Sequence, residues 1–375
     1  MSLRPLAELD RPLEAIRRFT PNWFAVTMGV GVVALVLAQV PVPGLRAVGE
    51  ALWLVDIGLF VLFSGLYAAR WILFGDEARR IFGHATASMF IGTIPMGLAT
   101  IINGFVVFGL PRFGQAAIEI AHGLWWIDAV LAIGCGVLLP YLMFTRQEHA
   151  LDRMTAVWLL PVVAAEVTAA SAGLVAPHLA DPGARFVLLA SGYVLWAYSV
   201  PIAFAILTIL LLRMALHRLP PADMAASSWL TLGPIGTGAL GLLLLGGDAP
   251  AVFAQHGLAE VGRVAQGLGV IGGLALWGLG LWWLLLALLI TGRHVREGAP
   301  FNLGWWGYVF PLGVYTLATL RLGGTLDLIG LKAAGTVLAA ALVAVWGLVA
   351  ARTLHGAWRG DLFSAPCLAA PAPAA

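Results

Sequence analysis

"GTIPMGLATIING" (residues 92–104) lies in an apolar run of membrane length that carries a proline, Pro95, near its centre. In a helix interior proline lacks an N–H and its ring crowds the carbonyl one turn back, at about 3 kcal/mol. The feature returns in "WLLPVVAAE" (Pro161), "TLGPIGTGA" (Pro234) and "YVFPLGVYT" (Pro311), once per pair of apolar runs. At membrane depth such a break is tolerated where the freed groups face protein or a water-filled cavity. A break repeated in every second helix therefore predicts an inner ring of kinked helices.

Composition sets the frame for that ring. The chain has 375 residues, 61% hydrophobic and 11% charged, whereas a soluble domain is about a quarter charged. Runs of roughly 20 apolar residues recur throughout, the length an α-helix needs to span a bilayer. The alternating segments of about ten residues that mark a membrane β-barrel are absent. Cys135 and Cys367 give no disulfide framework, and a net charge of +2 without a basic aromatic patch excludes nucleic acid as a partner.

Ten spans are expected, at 22–40, 51–74, 87–108, 118–144, 155–175, 186–212, 226–246, 262–290, 301–320 and 331–351. The domain reading is an N-terminal cytoplasmic segment (1–21), a ten-helix domain (22–355) and a disordered Pro/Ala tail (356–375). The N-terminus has no cleavable-signal pattern, so the first span is expected to be retained. Of the 21 basic residues, fifteen fall on the termini and every second loop. The other six are Arg46, Arg112, Arg185, Arg263, Arg321 and Lys332. By the positive-inside rule both termini face the cytoplasm of a cell membrane.

The odd spans carry the four prolines, and the first of them has Gly29 and Gly31 where its backbone is free to bend. They are shorter than the even spans, as expected if the even helices tilt around them. Their polar content is mostly hydroxyl, a lining that holds a small solute weakly enough for throughput. Glu166 is the one charged residue within them. A carboxylate near the bilayer centre costs a few kcal/mol unless it is paired or protonated. Glu166 is accordingly a candidate for proton coupling or pore lining, with a hydrogen-bonded pair to a neighbouring helix as the alternative. His122 and Asp128, in an even span, read as interhelical hydrogen-bonding groups.

"FTPNWFAVTMGVGVVAL" (19–35), "SMFIGTIPMGLATIING" (88–104) and "GWWGYVFPLGVYTLATLRLG" (304–323) resemble the tellurite-resistance/dicarboxylate transporter family. That family includes malate permeases, sulfite efflux pumps and the slow anion channels of guard cells. The resemblance covers roughly residues 15–355, and its first stretch leans towards the permease and sulfite-efflux branches. It implies an all-α membrane protein of five helical hairpins in quasi-fivefold arrangement around a central pore, assembled as a homotrimer. It also implies small anions as substrate and Phe310, directly before Pro311, as an aromatic pore gate.

No Lys or Arg lies mid-span in an odd helix, so anion stabilisation falls to hydroxyls, helix N-terminal dipoles or the overall field. Arg321, just past the ninth span, is a candidate for attracting anions to the outer mouth. The expected function is transport of a dicarboxylate such as malate, or of sulfite. A passive chloride- or nitrate-type channel is the alternative. A membrane-embedded enzyme is the reading from another class. Against it, Asp56, Asp128, Asp248 and Asp327 are isolated and no histidine pair has metal-ligand spacing. No cofactor and no metal is expected.

Overall fold

The computed structural model describes residues 5–368. Ten long helices account for most of them: α1 Pro21–Gln39, α2 Leu45–Leu73, α3 Ala87–Phe113, α4 Gln115–Thr145, α5 Ala156–His178, α6 Pro182–His217, α7 Ala222–Ala254, α8 Ala259–Glu297, α9 Trp306–Thr325 and α10 Ile329–Arg359. No strand occurs among the described residues. By length and composition every one but α9 is apolar enough to cross a membrane. In α9, four glycines, two tyrosines and Arg321 dilute the apolar content of its 20 residues.

The two sets of helices differ as the sequence suggested. In the apolar stretches of α1, α3, α5 and α7, 89, 67, 94 and 78% of residues are buried. The corresponding shares for α2, α4, α6, α8 and α10 are 17, 33, 33, 33 and 22%, so the even helices form the outer layer. In α9 nearly every residue through Thr319 is buried. Neighbour relations follow chain order: α1 packs on α3, α3 on α5, α5 on α7, α7 on α9, and α9 returns to α1. Each even helix lies against the odd helix that precedes it.

The prolines are placed differently from the sequence expectation. Pro95, Pro161 and Pro234 do not break a helix midway. They fall within the first three residues of the regular α-helix, just after a 3₁₀ turn (Ala87–Gly92, Ala156–Leu159) or a single short turn (Ser227–Leu230). There the missing N–H coincides with donors that a helix start leaves unpaired in any case. Of the four, only Pro311 is interior, five residues into α9. Gly29 is not a bend: α-helix runs unbroken over Phe24–Gln39, and a Cβ at Gly29 would collide with the Trp306 ring.

Residues 356–368, expected to belong to a disordered tail, are instead packed on the bundle. Helix α10 continues to Arg359, the Phe363 ring lies 4.9 Å from that of Trp23, and Cys367 is buried. Apolar side chains drew this segment onto the bundle, a contact that a Pro/Ala composition does not reveal. The rest of the tail, 369–375, lies outside the described residues.

Candidate functional site

The N-terminal ends of all five odd helices meet at one cavity of about 370 Å³. Asn22, Ala25 and Met28 reach it from α1, Phe90 and Thr93 from α3, and Val157 and Leu160 from α5. Ser227 and Leu230 come from α7, and Trp306, Gly307, Phe310 and Pro311 from α9. Side-chain caps shape two of these helix starts: Thr155 Oγ1 accepts from the Val157 N–H, and Asn302 Oδ1 from the Gly304 N–H at 2.8 Å. Five helix starts around one space put the positive ends of five backbone dipoles towards it.

The vestibule opens on the face where the first and last described residues lie. Leu6 N–H donates to Trp358 O, and Asp361, Leu362, Ser364 and Pro366 form part of the cavity wall. Among the described residues no Lys or Arg lines the cavity, and two carboxylates, Asp223 and Asp361, do, so the only features on its wall that favour an anion are backbone helix starts and hydroxyls.

Phe310 is 3% exposed and lines this cavity together with Pro311. The space that Gly313 leaves one turn later is taken by the Val32 isopropyl group of α1. Phe310 thus stands at a close α1–α9 contact with its ring against the vestibule.

Most odd-helix hydroxyls are committed to their own helices. Thr27, Thr93, Thr100, Thr168, Ser171, Thr231, Thr316 and Thr319 each donate to a carbonyl three or four residues back. Ser227 Oγ and Thr237 Oγ1, both on α7, are buried and have no protein partner among the described residues. Ser227 is 5% exposed and lines the vestibule. Among the buried Ser and Thr hydroxyls of the odd helices, in the described residues, only these two lack any hydrogen-bond partner, and residue typing alone could not separate them from the engaged ones.

Glu166 is fully buried but faces outward in the ring. Ser199 Oγ of α6 donates to its Oε2 at 3.4 Å and to Val162 O at 2.8 Å, and Glu166 Oε1 has no partner. It does not line the vestibule. Asp56 and Asp128 are likewise buried between helices, accepting from Thr100 Oγ1 at 3.3 Å and Thr168 Oγ1 at 2.6 Å. Asp128 therefore bridges helices as expected. His122 does not: its Nε2 accepts from Trp126 of the same helix. Arg321 is exposed at the far end of α9 from Phe310, with its guanidinium beside Gly247 of α7.

A second repeat, in the even helices, escaped the sequence reading. Trp53 donates its indole N–H to Ile101 O (3.2 Å), Trp125 to Thr168 O (2.8 Å), Trp196 to Gly238 O (3.0 Å) and Trp277 to Thr319 Oγ1 (2.9 Å). Each bond joins an even helix to the odd helix that follows it. Asp56, Asp128 and Ser199 occupy the same place, three residues after their tryptophans. Trp346 holds the corresponding position in α10, but its N–H has no acceptor. The signal was present as "LWLVD", "WWIDA", "LWAYS", "LWGLG" and "VWGLV", one in each even span.

A buried inner set of helices, an apolar outer set and a shared vestibule define a multi-pass helical membrane protein. Residues 18–354 match the voltage-dependent anion channel (SLAC1) family, and the chain belongs to it. It is 36% identical over 353 residues to a sulfite efflux pump of Arthroderma otae, covering 93% of each chain. The sulfite efflux pump of Trichophyton rubrum is 37% identical with the same coverage. The malic acid transport protein of Schizosaccharomyces pombe is 23% identical over 349 residues, 90% of this chain and 78% of that protein. The family comprises transporters and channels for anions, and the resemblance drawn from the sequence motifs agrees with it.

Proposed function

We propose that the protein moves small anions, sulfite first and a dicarboxylate such as malate second, along the axis of the odd helices. On this reading the ten helices form five hairpins in quasi-fivefold array and the termini lie in the cytoplasm. Three copies assemble in the cell membrane, each with its own pore. Anions enter through the vestibule, and Phe310 closes the path beyond it as an apolar constriction that excludes a hydrated ion by dewetting. The observation that carries the reading is the convergence of five odd-helix starts on one cavity whose wall includes Phe310. The likeness to sulfite efflux pumps across nearly the whole chain supports sulfite as the first substrate.

Ser227 and Thr237 are the hydroxyls proposed to replace hydration as the ion passes, and Arg321 is proposed to gather anions at the opposite mouth. A passive channel for chloride or nitrate is the second reading. It is favoured by the absence of any basic side chain in the vestibule, since weak binding suits conduction. Flux of sulfite, malate and chloride into liposomes holding the purified protein, with and without an imposed pH gradient, tests both. Uphill uptake driven by the gradient supports a carrier. Uptake that only follows the anion's own gradient supports the channel. Absence of flux for all three anions overturns the proposal.

A further inference from the structure

On the same face as the vestibule, but outside it, lies an open cleft of about 830 Å³ whose lining includes Arg79, Arg80, His84, Arg146 and Trp71 and, among the described residues, no acidic one. Arg79 pairs at 3.7 Å with the exposed Asp76 beside it, which leaves Arg80 and Arg146 as the cleft's unpaired cations among the described residues. We infer that this cleft binds the phosphate headgroup of an anionic phospholipid.

Two loops from different hairpins build it. Arg79 and Arg80 sit in the turn after α2, and Arg146 caps the end of α4. Gln147 Nε2 donates to Phe82 O (2.9 Å) and Ser88 Oγ (3.0 Å), which ties the second loop to the first. Arginines of two tied loops therefore line one cleft. His84 Nδ1 accepts from the N–H groups of Thr86 (3.2 Å) and Ala87 (3.1 Å), which leaves the ring proton on Nε2 as a further donor. Charged guanidinium forks and an N–H donor around one space match the oxygens of a phosphate.

A further cation lies behind the cleft wall and adds to the positive field there. Arg70 is 0% exposed and pairs with no carboxylate among the described residues. Its guanidinium donates to Phe19 O (2.6 Å) and Cys367 Sγ (3.5 Å), and its Nε has no partner. Glu77, the acid on the adjoining turn, is engaged by Arg17. A buried cation without a counter-charge is costly, and Arg70 lies directly behind Cys367, which forms part of the cleft wall.

The surroundings select a lipid over a soluble phosphate. Ile72 (81% exposed), Leu73 (56%) and Phe144 (80%) present apolar side chains on the last turns of α2 and α4, beside the arginines. Basic pockets between helix ends at the cytoplasmic boundary are where anionic headgroups are recognised.

The test uses the full chain purified in detergent. Retained lipid is counted by native mass spectrometry and thermal midpoints are read during titration with phosphatidylglycerol, phosphatidylcholine or inorganic phosphate. Phosphatidylglycerol should be retained and should raise the midpoint, whereas phosphatidylcholine should not. Arg80→Gln and Arg146→Gln should each weaken retention about fivefold, the ratio given by about 1 kcal/mol per basic residue, and together about thirtyfold. Arg293→Gln with Arg296→Gln, removing the same charge elsewhere on this face, should leave retention unchanged. If the double cleft variant fails to fold, the two single variants carry the comparison. Equal loss in the control pair overturns the inference by showing mere surface charge. Equal protection by inorganic phosphate alone overturns the lipid assignment.

Discussion

Phe310 and Ser227 stand on adjoining helices, α9 and α7, and share the wall of one cavity. The phenyl ring of the first is 3% exposed and the hydroxyl of the second has no protein partner. On the proposed reading the first is a plug and the second a free donor, so the two side chains should respond to truncation in opposite ways.

Phe310→Ala is expected to raise anion conductance in planar bilayers, because it removes the ring from the end of the vestibule. A ring that served only as packing would cost about 3–5 kcal/mol on truncation and lower flux through misfolding. Reduced or unchanged conductance in well-folded protein removes the gate assignment.

Ser227→Ala should leave thermal stability within about 0.5 kcal/mol of the parent, since no intramolecular hydrogen bond is lost. Its half-saturating anion concentration should rise about fivefold, the equivalent of one hydrogen bond of about 1 kcal/mol. A drop in stability with transport unchanged would mean that the hydroxyl serves the fold.

Glu166→Gln is expected to transport with the pH dependence of the parent, because the carboxyl faces Ser199 of α6 and not the vestibule. Flux measured across a series of pH gradients decides it. Loss of gradient dependence in the variant would restore the proton-coupling role that the sequence suggested.

Trp125→Phe and Trp346→Phe remove the same indole N–H from equivalent positions in α4 and α10. The first loses a buried hydrogen bond of 2.8 Å and the second loses a buried donor without an acceptor. The Trp125 variant should therefore be less stable than the Trp346 variant by about 1 kcal/mol, read from denaturation midpoints of the two purified proteins. Equal stabilities would show that the indole bonds do not join the hairpins.

Topology reporters fused after Pro43, Arg112 and Asp181 should report the outside, and those after Gly75, Arg146 and Pro220 the inside. Any exchange between the two groups would break the proposed orientation and hairpin pairing.

The sequence by itself determined the membrane class, the ten helical segments and the division into buried odd and exposed even helices. Hydropathy, loop charge and proline spacing are properties of single segments, and they survive whatever the segments pack against. Helix ends were legible only for the apolar part. The eighth span was expected over 262–290, yet α8 runs Ala259–Glu297, because a helix continues past the bilayer wherever its polar ends can hydrogen-bond to themselves. Tertiary structure alone decided what faces what. "VTMGVGVVA" looked like a bend, but Gly29 is small because Trp306, far along the chain, occupies the place of its side chain. Glu166 read equally as a pore residue and as a partner to a neighbouring helix, and only the packing shows which group its carboxyl meets, Ser199 of α6. Ser227 was indistinguishable from its neighbours until their hydroxyls were seen to be spent on their own helices and its own was not. Facing and hydrogen-bond occupancy depend on partners distant in sequence, and no local pattern encodes them.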